Sequence, residues 1–304
     1  MPEIYHTYAD VSDLRDYLAG TSYSSNWTAD TVALRRMLQA ASRRMDDYVG
    51  GDGLNTWGPY IQTKVFDIGT RNEPRYRAPG NGIAPVDRLV NVLTLGGWCV
   101  SITSVTVYDN TARGSSETWT EGYANDYFLE PYNTTPKLFL AVNEDTSKAL
   151  SAGQQVLHIE GTWGWRNTSA DTGVTLNATI TDSVTAIVLS AGSSDVSEGE
   201  TLLIGTEQMY VEAVSGVNLT VVRGVHGTTA AAHTGGDAIY YYTYPDDVKQ
   251  ACLELARIEY RSRDITTEES FGTPTTIYPA SEVKNALRRL ARYVAHTDTS
   301  GVIF

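Results

Sequence analysis

Residues 201–224 read TLLIGTEQMYVEAVSGVNLTVVRG, and three short apolar runs in this stretch are separated by glycine-containing turns. Short runs rich in Val, Leu, Ile and Tyr with turn residues between them predict β-strands. The pattern extends over residues 174–242, where runs such as AIVLSA and DAIYYY follow at intervals of about eight to twelve residues. This spacing predicts a small all-β barrel or sandwich.

The rest of the chain combines a second β region with helical ends. Between residues 57 and 170, alternating runs such as KVFDI and KLFLAV are separated by Gly, Pro, Asn and Asp, which again predicts strands. Near both ends, apolar residues recur with the spacing of an amphipathic helix. We therefore expect an α+β fold, with a core of N-terminal and C-terminal helices, a β region and an inserted small all-β domain.

Composition excludes several classes of protein. The formal net charge is −13, which argues against a protein that wraps nucleic acid by neutralising phosphates. No long apolar run predicts a membrane span, and the first residues lack the pattern of a secretory signal, so synthesis in the cytoplasm is expected. Cys99 and Cys252 lie far apart without further cysteines, so neither a zinc site nor a disulfide framework is indicated.

Four segments, taken in order, resemble a known family. They are YADVSDLRDYLAG (residues 8–20), AASRRMDDYVGG (40–51), GTWGW (161–165) and YPDDVKQACLELARIEYRSRD (244–264). Together they resemble the head-to-tail adaptors of tailed phages, also called head-completion or connector proteins. In that family the WGW-type strand is soon followed by a Pro-Asp-x-Val-x-x-Ala helix, whereas about eighty residues separate the two here. The β unit between them is therefore interpreted as an insertion, and it resembles short β modules of phage virion proteins.

The resemblance implies four segments. Residues 1–56 would hold the N-terminal helices of a helical adaptor core, 57–170 its β region, 171–243 the inserted all-β domain, and 244–304 the C-terminal helices and tail. Adaptors of this type are structural virion proteins and not enzymes. The chain would form a ring, expected to be dodecameric, under the portal at the capsid vertex, after synthesis in the host cytoplasm.

The resemblance also implies the partners. The ring would bind copies of itself, the portal protein, and neck, tail or stopper proteins, while the inserted domain could contact a capsid or decoration protein. DNA would pass through the channel without sequence-specific binding. Other functions left open are a tail-completion or decoration protein and, with less support, a carbohydrate-binding module.

The expected contact residues lie in two places. Arginines on one face of the helix over residues 28–51 would be either a solvated face or a contact for an acidic subunit. The end of the chain is abruptly apolar, and an exposed apolar terminus is costly unless a partner buries it. The portal and subunit contacts are therefore expected at Arg35, Arg36, Arg43, Arg44, Val302, Ile303 and Phe304.

Two histidines in LTVVRGVHGTTAAAHTGG, residues 219–236, could suggest chemistry. A metal site needs three or four converging ligands, and His226 and His233 have only a few nearby carboxylates. No nucleophile motif of the G-x-S-x-G kind and no phosphate-binding loop is present. We therefore expect no catalytic, cofactor or metal residues, and we interpret this segment as a glycine-rich turn that closes the β module.

Overall fold

The computed structural model describes residues 5–19, 30–50, 56–68, 77–78, 81–84, 86–87, 92–109, 115–143, 145–150, 153–193, 195–265 and 280–294. The α-helices are α1 (Val11–Ala19), α2 (Thr31–Gly50), α3 (Asp246–Ile265) and α4 (Ala280–Arg288). The strands are β1 (Tyr60–Ile68), β2 (Arg77–Ala78), β3 (Asn81–Ala84), β4 (Val86–Asp87), β5 (Val92–Tyr108), β6 (Ser116–Trp119), β7 (Tyr127–Glu130), β8 (Lys137–Val142), β9 (Gly153–Trp163), β10 (Ser169–Thr175), β11 (Ala186–Val188), β12 (Thr201–Ile204), β13 (Glu207–Ser215), β14 (Asn218–Val222) and β15 (Ala238–Tyr242).

The chain divides into two compact units. Unit 1 comprises residues 1–51 and 168–304, and unit 2 comprises residues 52–167. Unit 1 therefore contains all four helices and the strands β10 to β15, whereas unit 2 contains β1 to β9. Unit 2 is formed by one continuous stretch of chain, inserted between the two segments that form unit 1.

Unit 2 is a mainly antiparallel sheet with the order β2-β3-β1-β9-β5-β8-β7. The long strand β5 pairs with β8 near its beginning and with β9 and β6 in its second half. Because alternate residues of a strand face opposite sides, the apolar residues of these runs collect on one face. The fully buried core residues there include Leu93, Leu95, Cys99, Val105, Leu140, Leu157, Ile159 and Trp163.

In unit 1 an antiparallel sheet with the order β10-β15-β12-β13-β14-β11 carries its own core. The hairpins β12-β13 and β13-β14 match the apolar runs in residues 201–224. Its most deeply buried residues include Leu176, Ile187, Leu202, Ile204, Met209, Val211, Val221 and Ile239. The region predicted to form a small all-β barrel or sandwich is therefore a six-stranded antiparallel sheet that belongs to unit 1.

The predicted fold class, with a helical adaptor core, is wrong. In the described part of the chain fifteen strands stand against four α-helices, so the molecule is mostly β. The physical reason is that residues 57–170 form an extensive apolar core with strands alone, so this β region does not need helices to cover it.

None of the helices in the described ranges combines the length and the apolar character needed to cross a bilayer.

The units group the four predicted segments differently. The prediction joined residues 57–170 to the helices and set 171–243 apart, whereas the β strands of 168–243 share unit 1 with the helices. Main-chain contacts account for this grouping. The Val11 N–H at the start of α1 donates to the Glu198 oxygen in the turn before β12, at 3.0 Å. That turn therefore caps a helix that begins far away in sequence.

Helix α2 buries a slightly different stripe from the one its sequence pattern predicts. Leu34, Leu38 and Met45 are buried as expected, but Val32 and Tyr48 are 47% and 37% exposed. The buried stripe includes Ala41 as predicted, and it also includes Ser42, Asp46 and Val49. The spacing of three to four residues is kept, and Val32 and Tyr48 lie outside the buried stripe on its two opposite sides.

Candidate functional site

Glu207 is a fully buried carboxylate at the beginning of β13. It shares a face of the strand with Met209 and Val211, which belong to the core of this sheet. A buried charge is costly unless it is paired and hydrogen-bonded. Its partners therefore explain how the sequence around 219–236 folds.

The carboxylate accepts hydrogen bonds from five N–H groups. Arg223 forms a two-pronged ion pair with it, from Nε to Oε1 at 2.7 Å and from Nη2 to Oε2 at 2.8 Å. The main-chain N–H groups of Gly224 and Ala231 donate at 3.0 and 2.9 Å, and His233 Nε2 lies 2.9 Å from Oε2. Burial alone would raise the pKa of Glu207, but the hydrogen bonds from Arg223, Ala231 and His233 lower it to about 2.

Arg223 extends the network to neighbouring segments. Its Nη1 donates to the main-chain oxygens of Thr181 and Val184, at 2.9 and 2.7 Å, and its Nη2 donates to the Ala231 oxygen at 2.6 Å. His233 is fixed through its backbone, because its N–H and oxygen both bond to Ile180. Glu207 and Arg223 therefore hold the 224–233 loop against the sheet.

This network has the chemistry of a structural tie. The carboxylate is fully buried and the Arg223 side chain is 5% exposed, so a substrate could not reach the charges. Every oxygen of Glu207 already accepts at least two hydrogen bonds, which leaves no free base. His233 is therefore one of the residues that hold the 224–233 loop against the sheet.

His226 has different partners. Its φ of +56° places it in the left-handed region, which non-glycine residues rarely adopt. Its Nδ1 lies 2.7 Å from Gln208 Oε1, and its ring centroid lies 5.8 Å from that of His6. Burial lowers the pKa of His226 to about 3, so this imidazole stays neutral at physiological pH.

In the described ranges of the chain, His, Cys, Asp and Glu side chains form no group of three or more that could hold a metal ion. His233 and Glu207 lie together, but Arg223 and main-chain N–H groups occupy the positions that further ligands would need. Cys99 and Cys252 are both buried free thiols, and burial raises the pKa of Cys99 to about 12 and of Cys252 to about 11. A thiol with so high a pKa is a poor nucleophile and metal ligand at neutral pH.

The four arginines of α2 fall into two groups. Arg35 donates through Nη1 to the Glu212 oxygen on β13, so it is an internal contact of unit 1. Arg44 pairs with Glu259 of α3 at 3.0 Å, with both side chains partly exposed. Arg36 and Arg43 lie on the exposed side of the helix. The sequence predicted one face for the four arginines, whereas the structure directs Arg35 at β13 and leaves Arg36, Arg43 and part of Arg44 exposed.

Arg36 borders an open cavity of about 310 Å³ on the surface of unit 1. Apolar side chains line it together with two acidic groups, one just before α2 and one on α3. The lining residues besides Arg36 are Asp30, Val32, Ala33, Met37, Ala40 and Glu259. The exposed Val32 and the Arg36 guanidinium give this face both apolar and cationic character, which suits a protein contact.

The other expected contact residues, Val302, Ile303 and Phe304, lie outside the residues that the structure describes. Their predicted role in binding the portal stays a prediction.

Sequence reasoning missed the most unusual charged residue of unit 2. Lys64 on β1 is 8% exposed, and its Nζ lies 3.8 Å above the centroid of the Trp163 ring. In the described part of the chain this amine has no hydrogen-bond partner. The run KVFDI contained the signal, because alternation puts Lys64 on the same face as Phe66 and Ile68, which are buried.

Comparisons with known proteins assign no family to this chain. No protein-family model, curated protein or solved structure matches it. The resemblance to tailed-phage adaptors therefore rests on the motifs of the chain itself, and its function has to be proposed from its own residues.

Proposed function

We propose that this chain is a non-enzymatic structural protein of a tailed-phage particle, a head-to-tail adaptor that assembles with copies of itself beneath the portal. The observation that carries the proposal is the outer face of α2. There Arg36 and Arg43 lie on the same side of the helix as the exposed Val32, and together they form a mixed cationic and apolar surface. Such surfaces are typical of protein contacts, because aromatic, apolar and Arg side chains supply most of the binding energy.

Charge complementarity supports an acidic partner for this face. The chain has 36 acidic residues against 23 basic ones, so most of the surface of a second copy would be negative. The arginines of this helix face are attracted to acidic side chains on a neighbouring copy. Such charge complementarity favours the correct contact over other contacts. The same negative surface would let DNA slide through a central channel without adhering.

The resemblance supplies the location. The segments 8–20, 40–51 and 244–264 that resemble adaptors correspond to α1, α2 and α3, all in unit 1. The proposal does not require a helical core, because assembly depends on the exposed face of α2 and not on the fold of unit 2. Neck or tail proteins would bind the ring opposite the portal.

The test combines assembly with matched charge reversals. Purified protein is mixed with portal rings and analysed by size-exclusion chromatography with light scattering and by negative-stain imaging. We expect ring assembly on the portal, and we expect Arg36→Glu with Arg43→Glu to abolish it. The control Lys284→Glu with Arg288→Glu makes the same charge change on exposed positions of α4 and should assemble normally. A wild-type protein that stays monomeric with portal present contradicts the proposal.

A second candidate function, carbohydrate binding, is favoured by two exposed tyrosines of unit 2. Tyr123 and Tyr132 are 80% and 71% exposed. Asn143 Nδ2 donates to the Tyr123 oxygen at 2.8 Å, and Lys137 Nζ donates to the Tyr132 oxygen at 2.6 Å. Both acceptors are main-chain oxygens, so these bonds fix the backbone that carries the two exposed rings, and a sugar can stack on an exposed aromatic ring.

An array of bacterial cell-surface oligosaccharides tests this candidate. Binding that is lost in Tyr123→Ala with Tyr132→Ala, and kept in the control Tyr48→Ala on α2, would support it. An array without wild-type binding would contradict this candidate.

A further inference from the structure

The turn that contains residues 197–200 docks on the first turn of α1. The Val11 N–H donates to the Glu198 oxygen at 3.0 Å, and the Ser12 N–H donates to Ser197 Oγ at 3.3 Å. Asp10 caps the same helix, because its Oδ1 accepts from the Asp13 N–H at 2.8 Å. Three N–H groups that a helix start leaves unpaired are therefore satisfied, and two of them depend on the turn.

A second contact fixes the turn from the other side. Thr7 Oγ1 donates to the Gly199 oxygen at 2.6 Å, so the segment before α1 also holds the turn. Within the turn, the Ser197 N–H donates to Glu200 Oε2 at 3.1 Å, and the Gly199 N–H donates to the Val211 oxygen at 2.9 Å. The Glu200 carboxyl group therefore shapes the loop that caps the helix, and it lies where the helices meet the β sheet.

Carboxyl groups crowd this junction. Lys249 Nζ pairs with Asp13 Oδ2 at 2.6 Å, which offsets one negative charge. No second cation is paired with Asp10 or Glu200 among the ion pairs of the described residues. The titratable groups that face Glu200 are Asp10 and Asp13 at α1, Lys249 on α3, Tyr241 on β15 and, beside Tyr241, Asp195.

We propose that the 197–200 turn and the first turn of α1 form a pH-sensitive latch, which is closed while Asp10 and Glu200 carry protons and is weakened by their ionisation. Protonated carboxyl groups can share the junction with the Asp13–Lys249 pair without repulsion. Each ionisation adds a negative charge that Lys249, already paired with Asp13, offsets only in part. The charges repel across the contact between turn and helix, so the α1 cap is lost first.

The direction of the titration agrees with this geometry. Burial raises the pKa of Asp10 to about 6; the hydrogen bond from the Asp13 N–H opposes this rise, and the Asp13 charge adds to it. Burial raises the pKa of Glu200 to about 9, with the Asp10 charge as the next contribution. Although burial lowers it, the pKa of Lys249 is raised by its hydrogen bond and charge pairing with Asp13, so this lysine stays charged throughout. The folded state therefore holds protons that an opened junction releases, and latch stability falls as pH rises through both values.

Hydrogen exchange of the full-length protein tests the latch. Protection of the α1 first-turn amides, corrected for the intrinsic pH dependence of exchange, is followed by mass spectrometry between pH 5 and pH 10. We expect wild-type protection to fall about tenfold or more as Asp10 and Glu200 ionise. Amides of β14 serve as the internal reference and should keep their protection.

Variants assign the effect to the two carboxyl groups. Glu200→Gln keeps an acceptor for the Ser197 N–H and cannot ionise, so most of the fall should disappear. Asp10→Asn also keeps its capping oxygen and should remove the earlier part of the fall, which makes it an independent test should Glu200→Gln fail to fold. Asp182→Asn, an exposed carboxylate in the same sheet domain, should behave like wild type. Constant wild-type protection, or an unchanged fall in both variants, overturns the proposal.

Discussion

Lys64 is a cation without a hydrogen-bond partner among the described residues, in the apolar core of unit 2. Its only favourable partner there is the face of the Trp163 ring, 3.8 Å from Nζ to the ring centroid. Burial lowers the pKa of Lys64 to about 7, well below its ordinary value. The energy gained from the ring is therefore smaller than the cost of removing the ammonium group from water.

We predict that Lys64→Met stabilises unit 2. Because the folded state releases the Lys64 proton near pH 7 and the unfolded chain holds it until about pH 10.5, wild-type stability should rise with pH between these values. Below pH 7 both states carry the proton, and the variant should be more stable by about 1–3 kcal/mol. Denaturant unfolding at several pH values measures both effects.

Lys284→Met provides the control, because Lys284 lies on the exposed side of α4 and the same substitution there should change little. A variant at position 64 that retains the wild-type pH dependence would show that another group is responsible for it.

For the buried pair of Glu207 and Arg223 we predict the opposite effect, because removal of one charge should destabilise the protein. Glu207→Gln removes the countercharge and leaves the Arg223 guanidinium buried, so unfolding free energy should fall by about 3–5 kcal/mol. The carboxylate's pKa of about 2 is below its ordinary value. Its contribution is therefore present at neutral pH and lost as pH falls from about 4.5 towards 2. Thermal or denaturant unfolding at pH 7 and pH 3 measures the difference between variant and wild type.

Glu212→Gln is the matched control for that substitution, because Glu212 lies on the same strand and is only partly buried. Equal destabilisation of both variants at pH 7 would contradict the special role of Glu207.

At the scale of elements, strands and helices were largely predictable, and their assembly was not. The runs in 201–224 became β12, β13 and β14, and the helical spacing of residues 246–263 became α3. The contact between the 197–200 turn and α1 could not be foreseen, because it joins residues about 185 positions apart through main-chain groups and one serine hydroxyl. The helical core was wrong because amphipathic spacing does not identify which surface a helix covers, and the strands of unit 2 form an apolar core without helices.

Within the candidate site, the sequence drew attention to individual residues but did not reveal their hydrogen-bond partners. His226 and His233 attracted attention as a pair, yet each has its own contacts, with Gln208 and Glu207 respectively. The decisive Glu207 was recognisable only as a charge at an inward position of a strand. A buried charge requires a partner, but periodicity alone does not select Arg223.

A substitution at Gly199 tests the contact between the 197–200 turn and the segment that leads into α1. Its φ of +100° favours glycine, and a Cβ there would lie 3.0 Å from Thr7 Oγ1, so Gly199→Ala disturbs both the turn and its contact. We expect a loss of about 1–2 kcal/mol in the unfolding free energy of unit 1. Gly192→Ala, which meets no atom within 4 Å, should be close to neutral. Denaturant unfolding of the two variants compares them, and equal stability would argue against a tight turn.

The two units of the molecule differ in how the chain forms them. Only unit 2 is built from a single continuous stretch of chain. Residues 52–167 are one stretch with a core of their own, whereas unit 1 needs both ends of the chain. Main-chain hydrogen bonds and a separate core are the properties that allow a domain to fold alone. The two units should therefore respond differently when they are separated.

We predict that a fragment of residues 52–167 folds by itself. Its sheet and core lie within the fragment, so it should unfold cooperatively and show the near-UV circular dichroism of its packed tryptophans. A fragment without near-UV signal or a cooperative transition would contradict an independent unit.

Removal of residues 171–242 with a short linker is the complementary experiment. The deletion takes away the 197–200 turn that caps α1, and with it the Tyr210 hydroxyl that accepts a hydrogen bond from Gln39 on α2. The helices of unit 1 should then lose most of their far-UV helical signal, while the near-UV signal of unit 2 persists. Retention of the helical signal would mean that α1, α2 and α3 form a stable bundle without the sheet, and the β strands of 168–243 would then be an attachment to that bundle.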